Sequence, residues 1–354
     1  MTSTTARPRV QWIDTGRGLA IVLVALYHAA RWLSKAGFDT AGWQLANEIL
    51  SSLRMPLFFA LAGLFAGKWL RASWRDLVRA KVVLFAWVFF IWETIGSIAF
   101  VLGTATNGHR VSLWDTGISL LISPLVPKLE LWFIWALTLF FVLAKLTRAV
   151  PVWVQLGITA LVSATALTLW LNTTTGATGS AKYYFFFLAG IYLRELILKF
   201  GSTPQVPVLV VAFVAWGAVS FSLSFLGLRG VFGLYFLNCV LGVIGGIAVS
   251  RVLTRLPVLH RIGTQTLPIY LAHTPIIIVI SFLLSLTPLP DLGGPDILAT
   301  PLLGVTAVTL ALLLYGVCQH NGVLRYLYAP PLHLFDQLME RRKVSVGEAP
   351  VERP

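Results

Sequence analysis

Residues 12–28 read WIDTGRGLAIVLVALYH, and the apolar run that they open extends over residues 16–34. A helix needs about 20 predominantly apolar residues to cross the hydrocarbon core of a bilayer. Basic residues precede the run, as they do in a signal peptide, but the run continues through Arg31 without a small-residue cleavage site. The stretch therefore predicts a first transmembrane helix that is retained in the protein.

Nine further apolar runs follow and decide the fold class: 46–67, 82–103, 129–147, 151–171, 181–200, 206–228, 231–253, 263–286 and 297–318. Hydrophobic residues make up 57% of the 354 residues and charged residues only 12%, whereas soluble domains are about half apolar and about a quarter charged. We expect an all-α, polytopic membrane bundle of about ten transmembrane helices in a single domain, residues 1–320. Residues 321–354 are too short and too charged to span, so they are expected to form a cytoplasmic or interfacial tail.

The placement of Lys and Arg predicts the orientation. If the N-terminus lies inside, the inner loops hold roughly three times as many basic residues as the outer loops, as the positive-inside rule requires. Both termini are then cytoplasmic, and the protein is expected in the plasma (inner) membrane. The net charge of +13 reflects this orientation and contact with membrane lipid headgroups, and no nucleic-acid partner is expected.

Ionisable residues inside the apolar runs are costly to insert, so each is a functional candidate. Arg17 lies near the cytoplasmic end of the first run, and His28 follows eleven residues later. At 1.5 Å per residue His28 is about 16 Å deeper, and eleven steps of about 100° return to nearly the same side of the helix. The two side chains are therefore predicted to share one face.

The other candidates lie on later runs. By depth, Glu93 and His273 fall near the midplane with His28, whereas Arg54 and Glu130 lie nearer the outer surface. Depth alone leaves simpler interpretations open. The histidines can hydrogen-bond across helix interfaces, Glu93 can pair with Arg54, Arg17 can anchor the topology, and the basic residues from Lys68 to Lys81 can be plain inner-loop charge.

The opening segment resembles the first helix of the acyltransferase-3 family of integral membrane acyltransferases. That helix has an Asp, an Arg–Gly pair and a deeper His, matched here by Asp14, Arg17, Gly18 and His28.

Three further segments extend the resemblance over nearly the whole chain. They are RMPLFFALAGLF at 54–65, ELWFIWAL at 130–137 and IGTQTLPIYLAHTPIII at 262–278, which match the family at Pro56, Gly63, Tyr270, His273 and Pro275. The sequence departs from the family at Ala62, where Ser is usual, and at Glu130, where many members carry His. The paired-Arg motif before the third helix is matched only loosely, by Arg75, Arg79 and Lys81.

The resemblance implies transfer of an acyl group, usually acetyl, from cytosolic acetyl-CoA to a hydroxyl of an extracytoplasmic envelope glycan or glycolipid. An acylated trehalose of a mycolate envelope is one such acceptor. Arg17, Arg75, Arg79 and Lys81 suit the CoA phosphates, because Arg and Lys bind phosphate strongly. No metal site is expected, since the histidines are dispersed along the chain.

The catalytic roles follow from the chemistry of the side chains. His28 suits a general base because its ordinary pKa lies near 6.5. Glu93 or Glu130 would orient its ring, His273 would support it, and Arg54 would stabilise the oxyanion. An acyl-His intermediate is an open variant. A transporter or flippase for a sugar or lipid-linked substrate is the main alternative function, because transporters also place His, Glu and Arg at mid-membrane.

Overall fold

The computed structural model describes residues 10–106, 112–125, 127, 130–171, 176–203, 205–292 and 297–332. These residues form α-helices and short turns, with no strand among them. The helices are α1 (Gln11–Lys35), α2 (Ala41–Gly63), α3 (Gly67–Arg71), α4 (Trp74–Leu77), α5 (Val83–Thr106), α6 (Leu113–Ile122), α7 (Trp132–Leu146), α8 (Val152–Leu169), α9 (Gly176–Tyr192), α10 (Arg194–Gly201), α11 (Val206–Phe225), α12 (Leu234–Val252), α13 (Pro257–Thr264), α14 (Thr266–Ser285) and α15 (Ala299–His320).

Each of the ten apolar runs overlaps a helix. Among the described residues eight helices are long and apolar enough to cross a membrane, the third of them continuous over Trp74–Thr104. The prediction of an all-helical, multi-pass membrane protein is confirmed. The helices that match the fourth and sixth runs, α7 and α9, have only 15 and 17 residues. The count of ten spans and the cytoplasmic position of both termini therefore stay predictions.

Helix α9 differs from the sixth run at both ends. It begins at Gly176 rather than near residue 181, and it stops at Tyr192, before α10. Small residues explain the early start. Gly176 lies against Pro127 and Trp135, and Gly179 lies against Trp132, where a larger side chain would collide with the ring.

Helix α1 lies at the centre of the bundle and packs against α2, α12, α13, α14 and α15. Its N-terminal end touches α13 at backbone distance. A side chain at Gly18 would meet the Leu259 carbonyl, and one at Gly263 would meet the Asp14 carbonyl. This close approach places Arg17 next to the start of α14, where its Nη2 donates to Thr266 Oγ1 at 3.4 Å.

Cations at the same end of the bundle cap free carbonyl groups. The Lys145 ammonium donates to the carbonyls of Trp69, Leu70 and Ala72. Arg148 Nη1 donates to the Leu70 carbonyl at 2.9 Å. Cations at helix C-termini satisfy carbonyls that have no partner within the helix. The end of α7 therefore holds residues 68–81, the basic segment that follows α2.

The described part of the C-terminal tail, residues 321–332, folds back onto the bundle. The indole nitrogens of Trp87 and Trp92 on α5 donate to the Tyr326 and Leu327 carbonyls at 2.7 and 2.8 Å. Tyr328 is buried against Trp92 and Tyr315. The boundary at residue 320 and the cytoplasmic or interfacial position of the tail stay predictions, and the rest of the tail lies outside the described residues.

Candidate active site

A cavity of about 730 Å³ lies at the end of the bundle opposite the basic segment. We call it the outer cavity, after the orientation that the loop charges predict. Residues from α1, α2, α8, α9 and α12 line it, together with Glu130 and Trp132 near the start of α7 and Arg229 before α12. Its polar lining residues are Tyr27, His28, Arg31, Ser34, Lys35, Thr40, Gln44, Asn47, Glu48, Ser51, Arg54, Glu130, Lys182, Tyr183, Arg229 and Tyr235.

His28 lies in the wall of this cavity and is only 6% exposed. Its Nδ1 is 3.5 Å from Glu130 Oε2. Two salt-bridging and hydrogen-bonding neighbours hold this glutamate in place. Arg31, one turn beyond His28 on α1, contacts Glu130 Oε1 at 2.8 Å, and the Tyr270 hydroxyl donates to the Glu130 backbone carbonyl at 2.7 Å. Of the two glutamates expected near the ring, the structure brings Glu130 to it.

His273 lies behind His28, with 5.3 Å between the ring centroids. Its Nδ1 is 3.0 and 2.8 Å from the carbonyls of Ile269 and Tyr270, and its Nε2 is 3.1 Å from Thr274 Oγ1. Because carbonyls only accept, Nδ1 carries the proton and Nε2 accepts from the threonine hydroxyl. His273 is buried and is not part of the cavity wall. The two histidines, expected at a similar depth, therefore pack against each other.

Arg54 reaches the cavity from α2 and is 5% exposed. Its guanidinium lies over the Tyr27 ring, 4.4 Å from the centroid, and its Nη1 is 3.4 Å from Asn47 Oδ1. Neither of these partners is an acid, so the alternative hypothesis of an Arg54–Glu93 ion pair has no support from the described contacts. Glu93 is buried on α5 and does not line the cavity, so its predicted role in orienting His28 has no support from the geometry.

The predicted CoA-binding residues lie at the end of the bundle opposite the outer cavity. We call this end the basic end. Arg17 and Lys68 are within charge-interaction range of Lys81. Arg79 and Lys81 both lie in the π-helical turn Val78–Val82. Lys81 is half-buried over the rings of Trp69, Phe85 and Phe141, whereas Arg75 and Arg79 are exposed. Arg17 and His28 point to the same side of α1, between α2 and α14, as predicted.

A second, small cavity, with a volume of about 20 Å³, adjoins His28. Val24, Phe58, Phe133 and Tyr270 line it with His28. The rings of Phe58 and Phe133 are in edge contact, with centroids 4.7 Å apart. Aromatic rings therefore form part of the wall of this small cavity.

A family model described as an acyltransferase domain, that of the acyltransferase-3 family, matches residues 10–316. The chain belongs to this family. The match includes every candidate residue named above, and it supports a multi-pass membrane acyltransferase. Comparisons with the curated proteins and with the solved structures gave no match.

Five charged residues of this acyltransferase-3 cavity were not among the sequence candidates: Arg31, Lys35, Glu48, Lys182 and Arg229. The sequence pattern places the four cations among the few charges of the outer loops. A signal was available only for Arg31 and Lys35, which follow His28 by three and seven residues and so lie on the same face of α1. The other three reach the cavity through helix packing.

Proposed function

We propose that this acyltransferase-3 protein moves an acyl group, acetyl in the first instance, from cytosolic acetyl-CoA to a hydroxyl of an extracytoplasmic envelope glycan or glycolipid at the plasma (inner) membrane. The observation that carries the proposal is a histidine in a cavity wall with a carboxylate 3.5 Å from its Nδ1. Nucleophile activation by acyltransferases commonly uses this pairing of base and orienting group.

This geometry supports the following reaction. Glu130 beside Nδ1 favours a proton on that nitrogen, which leaves Nε2 of His28 free to accept one. Nε2 takes the proton of the acceptor hydroxyl as its oxygen attacks the thioester carbonyl. The tetrahedral intermediate collapses, the C–S bond breaks, and His28 returns the proton to the departing CoA thiolate. Arg54 is the nearby cation for the negative charge on the intermediate.

The donor side is proposed from the distribution of charge. Phosphates and adenine of CoA cannot enter the hydrocarbon core, so they would stay at the basic end, with Arg17, Lys68 and Lys81 as the nearest cations and Arg75 and Arg79 on the exposed surface. The pantetheine arm would then extend toward His28 between Phe58 and Phe133. The acceptor would approach from the outer cavity, so the two substrates meet from opposite sides.

The first prediction tests the assignment of His28 as the general base. We expect His28→Ala to lower acetyl transfer by about two to four orders of magnitude, since removal of a general base has this effect. Stabilisation of the folded protein by acetyl-CoA should persist in the variant. Turnover is measured as the gain of one acetyl mass on envelope glycans and glycolipids. Near-wild-type turnover in a folded His28→Ala protein would exclude the assignment.

A transporter or flippase is the competing function, because a polar cavity open at one end of a helical bundle also suits a substrate pathway. Thermal unfolding in the presence of acetyl-CoA distinguishes the two functions. Acetyl-CoA should raise the unfolding temperature of the purified protein if the chain is an acyl-CoA-dependent transferase. Substrate movement in vesicles without acetyl-CoA, combined with no stabilisation by it, would favour the transporter.

A further inference from the structure

The outer cavity carries more positive than negative charge. Five cations line it, Arg31, Lys35, Arg54, Lys182 and Arg229, with the two carboxylates Glu48 and Glu130. Both carboxylates are already paired, Glu130 with Arg31 at 2.8 Å and Glu48 with Arg229 at 2.6 Å. With His28 neutral, the wall therefore holds a formal excess of three positive charges.

Arg54 is the cation for which this excess matters most. It is 5% exposed, and its described contacts are the Tyr27 ring and the Asn47 side-chain oxygen. Neither carries a negative charge. A guanidinium offers five N–H donors in a planar fork, and burying its charge without a counter-ion is strongly unfavourable. The side chain is thus arranged to receive an anion from the cavity that it lines.

The oxyanion that forms during the transfer reaction cannot by itself serve as the counter-ion of Arg54. It exists only during the reaction, whereas the charge of Arg54 is permanent. A second buried cation, Lys182, also lines the cavity, and its ammonium lies 3.5 Å from the Leu171 carbonyl. Two buried cations in one cavity are typical of sites for a fixed anionic group, such as phosphate or carboxylate.

We propose that the acceptor carries a fixed phosphate or carboxylate group, which Arg54 binds with Lys182 as the second cation, while an acceptor hydroxyl reaches His28. The inference rests on the acyltransferase function proposed above and narrows its acceptor class. A phosphate-linked lipid or a sugar acid fits the cavity. A neutral glycolipid, such as an acylated trehalose, offers the guanidinium only hydroxyl groups.

The test measures binding of three probes to the purified full chain at matched ionic strength and without acetyl-CoA. Glucose 1-phosphate supplies the phosphate, glucuronate supplies the carboxylate, and methyl glucoside is the neutral counterpart. At least one anion should stabilise the wild type against thermal unfolding at a lower concentration than methyl glucoside does. Arg54→Gln should weaken the binding of that anion at least about tenfold, as expected for loss of a charge-assisted hydrogen bond.

Three control variants make the result specific to the site. Lys35→Gln removes the same charge from an exposed position of the cavity and should weaken binding by less than about threefold, because exposed charges are screened. Arg17→Gln, at the basic end, should leave anion binding unchanged. Arg54→Lys keeps the charge but loses the planar fork of N–H donors, so it should bind the anion with intermediate affinity. This variant replaces Arg54→Gln in the test if Arg54→Gln does not fold.

The inference is overturned if methyl glucoside binds as well as both anions, or if Arg54→Gln and Arg54→Lys bind like the wild type. Equal losses in Lys35→Gln and Arg54→Gln would also overturn it, since they would indicate diffuse attraction. Loss only in Arg17→Gln would place the anion at the basic end instead. Failure of the acyltransferase proposal would show separately, as no response to acetyl-CoA in a protein that still binds the anion.

Discussion

Glu130 and Arg31 differ from the other charged residues around His28 because they form a continuous chain of contacts with it. Arg31 holds one carboxylate oxygen, and the other oxygen faces the imidazole. A carboxylate in this position stabilises both the tautomer that accepts a proton and the imidazolium that forms. At the scale of single residues, Glu130 is therefore the group on which the activity of His28 should depend.

The second prediction concerns this glutamate. We expect Glu130→Gln to lower kcat by about tenfold or more, because the amide keeps the shape but loses the charge that stabilises the imidazolium. Stabilisation by acetyl-CoA should be unchanged. Glu48→Gln is the matched control, since Glu48 lines the same cavity but pairs with Arg229. Equal losses of kcat in both variants would show that Glu130 acts only through the overall charge of the cavity and not through its contact with His28.

Helix α1 determines where Arg17 lies in the bundle. Helix α1 runs from the basic end to the outer cavity, and its close contact with α13 fixes the end at which Arg17 lies. The third prediction is that Arg17→Ala weakens acetyl-CoA binding at least about tenfold and that Arg17→Lys restores part of it, because a point charge replaces a bidentate fork. Arg255→Ala, an exposed cation at the same end, should have little effect. Unchanged acetyl-CoA affinity in both Arg17 variants would make Arg17 a topology anchor.

The contact between α1 and α13 can itself be tested. A side chain at Gly18 would meet the backbone carbonyl of Leu259, whereas one at Gly316 on α15 would enter open space. The fourth prediction is that Gly18→Ala destabilises the protein by about 1–3 kcal/mol, as overpacking does. Gly316→Ala should be neutral or stabilising by up to about 1 kcal/mol, because alanine favours helix. Thermal unfolding compares the two, and equal midpoints would show that the helices can move apart freely.

For the whole molecule, the two ends of the bundle differ in charge and shape. One end carries Arg17, Lys68, Lys81 and the carbonyl-capping cations, and the other carries the outer cavity. The positive-inside rule predicts that the first end faces the cytoplasm. This assignment is what gives the proposed reaction its direction across the membrane.

The fifth prediction tests the orientation with a membrane-impermeant thiol reagent. Gly230→Cys, beyond the outer end of α11, should be labelled from outside intact cells, and Gly322→Cys, after α15, only after permeabilisation. Both positions are exposed, with space for a side chain. The native thiols Cys239 and Cys318 are buried and should give little background. Labelling of both positions from the same side would contradict the ten-span topology.

The sequence by itself determined the fold class and the family, and it predicts the depth of the charged residues. Helix formation and depth depend on local properties, namely apolar runs about 20 residues long and a rise of 1.5 Å per residue. The shared face of Arg17 and His28 could be predicted for the same reason, since both lie on one helix. The start of α9 at Gly176 was missed because it depends on Trp132 packing against Gly179, a contact between helices.

Only the tertiary structure decided which residues meet. Glu93 and Glu130 were equal candidates by sequence, and helix packing brought Glu130 to His28 and left Glu93 out of the cavity wall. It also gave Arg54 the Tyr27 ring and Asn47 as neighbours in place of Glu93. Lys182 and Arg229 entered the cavity by the same packing. The physical reason is that periodicity fixes the height and direction of a side chain on its own helix, whereas the identity of the neighbouring helix depends on contacts among residues far apart in the chain.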